Sequence, residues 1–265
     1  MTLTMTHGPL SGHSFEANYQ IDGPAQRLLF DVFPRRVRAI FAGATILDTE
    51  RGRLLHETGL LPQLYVPRDD VLGDCLEASE HTTHCPFKGD AVYWSLRVGD
   101  RQADNAVWAY PQPYEAVAWL RDHVAFYWNA MDAWFDEAEE VRGHLRDPYH
   151  RVDVRETNRH VRILAGGAVI AETDRPQILS ETGLPNRYYI PPRDVRNTCL
   201  APSATHTVCP YKGRASYHSL HIGAQRIADA AWSYPEPLAD AVKIRGHLCF
   251  RAAGVSVEVD GEQVA

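Results

Sequence analysis

Thr83-His84-Cys85-Pro86-Phe87-Lys88-Gly89-Asp90-Ala91-Val92-Tyr93 returns 124 residues later as Thr207-Val208-Cys209-Pro210-Tyr211-Lys212-Gly213-Arg214-Ala215-Ser216-Tyr217. The same offset relates Glu57-Thr58-Gly59 to Glu181-Thr182-Gly183, Asp70-Val71 to Asp194-Val195, and Trp108 to Trp232. From about Val37 to Phe126 no gap is needed, so loops and elements alike keep their lengths. The chain therefore carries two copies of one structural unit in tandem. The first repeat is placed at 37–128 and the second at 161–253. Residues 1–36 read as a polar lead-in and 254–265 as a tail that alternates like a last strand. The linker, 129–160, is expected to be ordered. It holds Trp134, Phe135 and Tyr149 where a free linker would be rich in Gly and Ser.

Each copy reads as strands. Val37 to Phe41, a turn at Gly43, and Thr45 to Thr49 form an expected hairpin. Ala91 to Val98 alternates as a half-buried strand should, with Val92, Trp94 and Leu96 on one face and Tyr93, Ser95 and Arg97 on the other. Ala103 to Tyr110 is the next strand. Pro111-Gln112-Pro113 and its twin Pro235-Glu236-Pro237 stop these strands, because Pro cannot donate to a ladder. A short helix near Tyr114 to Arg121 and a strand from His123 to Trp128 close the unit. The expected fold class is mainly β with short helices, at the margin of α+β, as two tandem antiparallel domains. The absence of long helices between strands disfavours a doubly wound parallel sheet.

Composition narrows the function classes. The 265 residues include 45% hydrophobic and 23% charged residues, with a net charge of −7. A phosphate-neutralising surface needs excess Lys and Arg, so no nucleic-acid partner is expected. Met1 to Leu10 has neither a basic region nor an apolar run, and no stretch approaches a membrane span of about 18 apolar residues. The expectation is a cytoplasmic protein without membrane or cofactor. Cys75, His81, His84 and Cys85 lack paired metal-ligand spacing, and His84 and His206 do not align, so no metal is expected. Cys75–Cys85 and Cys199–Cys209 could bridge on spacing alone, but the expected compartment argues against it. Cys249 reads as buried.

Three motifs in fixed order carry a resemblance. They are Cys-Pro-(Tyr/Phe)-Lys-Gly-x-Ala-x-Tyr, the upstream Tyr-(Ile/Val)-Pro-x-x-Asp-Val, and the downstream Ala-Trp-x-Tyr-Pro-x-Pro. Together they resemble the domain of unknown function 427 family over about residues 36–251. His144-x-Arg146-Asp147-Pro148-Tyr149-His150-Arg151-Val152-Asp153 is similar to the joint of its two-domain members. The family has been labelled nucleotidyltransferase-like in places. That chemistry needs a phosphate-cradling loop and paired acidic metal ligands. Asp69-Asp70 is the one candidate pair, and Arg193-Asp194 breaks it in the second copy.

The candidate chemistry follows from the shared loop and from the differences between copies. A cation three residues after Cys209 would favour its thiolate, or Lys212 would hold an anionic group unaided; the bland alternative is a buried thiol beside a turn lysine. Arg187 stands where the first copy has Gln63, and Asp229 where it has Asn105, so the second copy is read as the more complete site. Cys209, Lys212 and Asp229 are the candidate catalytic residues. Arg175, Arg187, Tyr189, Asp194, Trp232, Tyr234, Lys88 and Trp108 are the candidate ligand-binding residues. Two functions follow. One is a small-molecule enzyme or ligand-binding protein for a small anionic or planar metabolite, its pocket between or within the repeats. The other is a noncatalytic binding or interaction module. A duplicated domain points to a monomer, with a homo-oligomer as the alternative.

Overall fold

A computed structural model describes residues 23–264. The reading of Met1 to Leu10, the first part of the lead-in, and the last residue of the tail lie outside the described residues. The chain divides into two compact units, Met1–Asp147 and Pro148–Ala265.

In the first unit β1 (Leu28–Val32), β2 (Val37–Phe41), β3 (Ala44–Thr49), β4 (Arg53–Glu57) and β5 (Gln63–Pro67) come first. They are followed by β6 (Leu76–Cys85), β7 (Gly89–Val98), β8 (Arg101–Ala109), β9 (His123–Phe126), β10 (Ala133–Asp136) and β11 (Glu139–Val141). A seven-stranded sheet runs β1-β4-β5-β9-β8-β7-β6, and a four-stranded sheet runs β11-β10-β2-β3, all antiparallel pairings. The β2–β3 turn places Ala42 and Gly43 both at positive φ, the geometry whose twist suits a two-residue hairpin.

The second unit repeats the design. Its strands are β12 (Val152–Glu156), β13 (Val161–Ala165), β14 (Ala168–Thr173), β15 (Gln177–Glu181), β16 (Leu184–Ile190) and β17 (Leu200–Cys209). Then come β18 (Gly213–Ile222), β19 (Gln225–Ser233), β20 (Leu248–Phe250), β21 (Val255–Val259) and β22 (Glu262–Gln263). Its sheets run β12-β15-β16-β20-β19-β18-β17 and β14-β13-β21-β22. Two tandem antiparallel β domains are thus the fold.

The repeat is longer than the motifs suggest. Leu28–Val32 falls in the sequence lead-in yet forms an edge strand on β4, as β12 does on β15 at the 124-residue offset. Leu28-Leu29-Phe30-Asp31-Val32 lacks clean alternation, which hid it. The residues read as a linker divide as well: β10 and β11 complete the first unit's small sheet, while β12 opens the second unit.

Each large sheet is buried on both faces. One face of the first unit packs Leu54, Val66, Leu96, Val107 and Phe126 against Val37, Phe41, Ile46 and Trp134 of the small sheet. Complete burial of such side chains is worth about 1.5–3 kcal/mol each. The outer face carries Leu55, Tyr65, Ala91, Tyr93 and Tyr110, capped by Val117 and Leu120 of the 3-10 helix Glu115–Leu120. Tyr93 is therefore buried rather than on the solvent side of a half-covered strand. The second unit has the matching inner and outer clusters, with Ala241 and Ile244 of the 3-10 helix Ala239–Ile244 as the cap.

Candidate functional site

The outer face of the second unit's large sheet collects most of the singled-out residues. Tyr189, Tyr234 and Cys249 are buried there, and Cys209, Tyr217 and Trp232 pack partly buried against them. The Trp232 indole donates to the Tyr189 hydroxyl at 3.2 Å, as Trp108 does to Tyr65. Tyr217 lies beside Trp232 with ring centroids 6.2 Å apart. Burial pushes the Tyr189 and Tyr234 hydroxyls well above the usual range, so both stay neutral.

Lys212 sits at the tip of the β17–β18 hairpin, where Cys209 pairs with Gly213. The Pro-x-Pro segment fixes that tip: the Leu238 amide donates to the Lys212 carbonyl at 3.1 Å. Lys212 is only 8% exposed, and its ammonium is ion-paired with Glu181. The first unit repeats this, with Lys88 Nζ 2.5 Å from Glu57 Oε1. A buried ammonium requires such a partner. The second unit adds His150, whose Nε2 lies 3.0 Å from Glu181 and whose ring lies tilted against Tyr211 with centroids 4.3 Å apart. Burial alone would raise the Glu181 carboxyl, but the His150 bond and the Lys212 charge outweigh it and hold it below the usual range.

Arg187 projects from β16 onto this same face. Tyr189 pairs with Cys249, so Arg187, two residues before Tyr189, and the exposed Arg251, two residues after Cys249, flank that pair on the same side. Two uncompensated like charges on neighbouring segments repel. Among the described residues neither guanidinium has a hydrogen-bond or ion-pair partner, and Arg187 is half-buried. Both arginines act on Cys249. Burial pushes its thiol up to about 12, while Arg187, Lys212 and Arg251 pull less strongly in the opposite direction. The first unit has Gln63 and Tyr127 at these two positions, and the Gln63 amide is used on the Phe126 carbonyl.

Native Cys249 is accordingly expected to resist iodoacetamide at pH 8, with full alkylation only after unfolding. Peptide mass spectrometry reads this directly. Modification of native Cys249 at the rate of an exposed thiol would contradict the burial.

Lys88 and Trp108 hold the matching places in the first unit, and three singled-out residues of the second unit lie elsewhere. Arg175 and Asp194 bind each other, with Nη2 to Oδ1 at 3.1 Å, and Thr173 donates to Asp194 at 2.7 Å. Arg51, Asp70 and Thr49 do the same in the first unit, so this is a shared brace on the end of a strand. Asp229 occupies a bulge. Between His218 and Leu220 the register shifts, and Asp229 adopts φ 51°, as Asn105 does in the first unit. Asn and Asp are the residues that tolerate this backbone. The Asp229 amide meets the Ser219 hydroxyl at 3.3 Å, and Thr205 donates to its carboxylate at 2.8 Å. Ser219 is six residues along β18 from Gly213, about 20 Å at about 3.3 Å per residue. Asp229 is thus remote from Lys212, and the Asn105–Asp229 difference belongs to the backbone.

The candidate residues named from the sequence do not include Arg251, His150 or Glu181. Arg251 and His150 face Tyr127 and Gln26 at the 124-residue offset, just outside the stretch from Val37 to Phe126 in which the copies were compared. All five cysteines are free, and among the described residues no three His, Cys, Asp or Glu side chains gather as metal ligands. No helix of the described residues is long and apolar enough to cross a membrane.

A family model described as a domain of unknown function (DUF427) matches residues 30–137 and, again, 153–262. No curated protein matches the chain.

Proposed function

The chain belongs to the domain of unknown function 427 family, whose domain it carries twice, and on that premise we propose that its second unit binds a small, planar, anionic metabolite. One observation carries this: Arg187 and Arg251, each two residues along the chain from the paired Tyr189 and Cys249, both act on the Cys249 thiol and have no acidic partner among the described residues. An anion placed there relieves the repulsion and accepts charge-assisted bonds from two planar guanidinium forks. The partly buried Trp232 and Tyr217 rings, tilted 37° to each other, supply an aromatic wall.

The arrangement supports binding rather than catalysis. Lys212 is held by Glu181, and Asp229 serves a bulge. The same reading places the protein in the cytoplasm, where its five free cysteines stay reduced. It also makes the chain a monomer, since two copies of the fold already lie in one polypeptide.

A metabolite library screened by thermal shift finds the anion, because a ligand of the native state raises the melting temperature. Arg187→Gln, which installs the first unit's residue, is expected to weaken that anion about 10–100-fold, the worth of a charged hydrogen bond. Gln63→Ala should leave it unchanged. Equal affinity in Arg187→Gln and the parent protein would overturn the reading.

A further inference from the structure

We infer that the first unit holds a separate site for an aromatic α-amino acid, in a groove between β4 and the 3-10 helix Glu115–Leu120. A cavity of about 430 Å³ lies there, reaching Trp119, and Arg53 and His123 at its border also line a neighbouring cavity of about 690 Å³ bordered by Glu50 to Arg53, Arg68, Asp69 and Arg121 to His123.

The two cavities offer different chemistry. The smaller has an aromatic shelf: Phe30 and Trp119 stack with centroids 4.6 Å apart and planes 19° apart, and Trp119 is 36% exposed. Arg53 lies over the Phe30 ring at 5.8 Å. The larger is charged. Its Arg51 is closed off by Asp70, but Arg53, Arg68 and Arg121 have no ion-pair partner among the described residues. Glu50, Asp69 and Asp122, on the same border, have none either. A dianion would be repelled by three carboxylates, and a cation by three guanidinium groups. A zwitterion satisfies both sets, while its ring extends the stack on Trp119. Between the two regions stands His123, its ring edge-on to Phe30 with centroids 5.1 Å apart. Burial, then Arg53, holds its pKa below the usual histidine value.

The second unit has a groove of about 920 Å³ at the matching place, lined by Arg175, Gln177, Pro192 and His247. There the counterparts of Arg53, Arg68, Trp119 and Phe30 are Gln177, Pro192, Lys243 and Val154. The shelf and two of the arginines belong to the first unit alone.

Titration calorimetry on the full chain tests this with L-tryptophan, tryptamine, which lacks the carboxylate, and indole-3-propionate, which lacks the ammonium. L-Tryptophan is expected to bind at least about tenfold more tightly than either analogue. Arg53→Gln and Trp119→Lys, residues the same fold accepts at 177 and 243, should each weaken it about tenfold or more, with unchanged circular dichroism. Arg187→Gln should leave it unchanged, which separates this site from the one on the second unit. No heat with millimolar L-tryptophan, equal binding of all three compounds, indifference to Arg53→Gln, or loss in Arg187→Gln would overturn the proposal.

Discussion

Replacing Lys212 by Met is expected to destabilise the second unit by about 1.5–3 kcal/mol, the worth of a hydrogen bond between charged groups, because His150 is then the one remaining partner of the buried Glu181 carboxylate among the described residues. Glu181 is 8% exposed and Lys212 10% at the side chain, so water cannot take the lost partner's place. Urea unfolding should show a lower midpoint with an unchanged slope. In calorimetry the weakened unit should melt separately from the first, since each unit has its own core. Lys212→Met combined with Glu181→Leu should recover most of the loss, since an apolar pair removes the buried charge along with its desolvation cost. A single variant as stable as the parent would show that the pair is open to water.

The same pair sets an acid limit. The folded Glu181 carboxyl is held below its unfolded value, so the unfolded chain binds that proton more readily. The stabilisation is complete above the unfolded value of about 4.3. It is lost as pH falls through the lower folded value, when a neutral Glu181 leaves the Lys212 charge uncompensated. Asp194, held low by its bond to Arg175, acts in the same direction.

Gly213→Val is the second large effect, at about 3 kcal/mol or more. Gly213 adopts φ 100°, where a β-branched residue is strained by roughly 1–3 kcal/mol. A Cβ there would also meet the Glu236 carbonyl oxygen at 3.1 Å, backbone that cannot move aside cheaply. The Gly89 twin meets the Gln112 carbonyl at 3.3 Å. This close approach explains why Lys-Gly and Pro-x-Pro recur together: the hairpin tip lies against the proline segment, and Gly213 bridges to Pro237. Gly223 provides the control. Its φ of 57° is one that Asn adopts, and open space surrounds it, so Gly223→Asn should be nearly neutral while Gly213→Asn should not. Comparable melting temperatures for those two variants would refute the close-approach argument.

The difference between Gln63 and Arg187 could be read from the sequence, yet its meaning could not. The proposed site depends on the fold, because the pairing of β16 with β20 brings Arg251, 64 positions away in the chain, to the same Tyr189–Cys249 pair that Arg187 flanks. Asp229 shows the converse. It looked like a carboxylate added to a polar site, but the bulge between His218 and Leu220 turns it into a backbone adapter. Lys212 looked like a free cation until the fold placed Glu181 against it.

The repeat offset, the alternation of the strands and the turn residues are local features, so the chain alone determined two tandem antiparallel β units and their shared hairpin. Which side chains meet was decided by strand register. A shift of one residue moves every side chain to the opposite face, and no short stretch of sequence records where a distant strand places its bulge. That is why the buried Lys212–Glu181 pair, the arginines flanking Tyr189 and Cys249, and the groove beside Trp119 emerged only from the folded sheets.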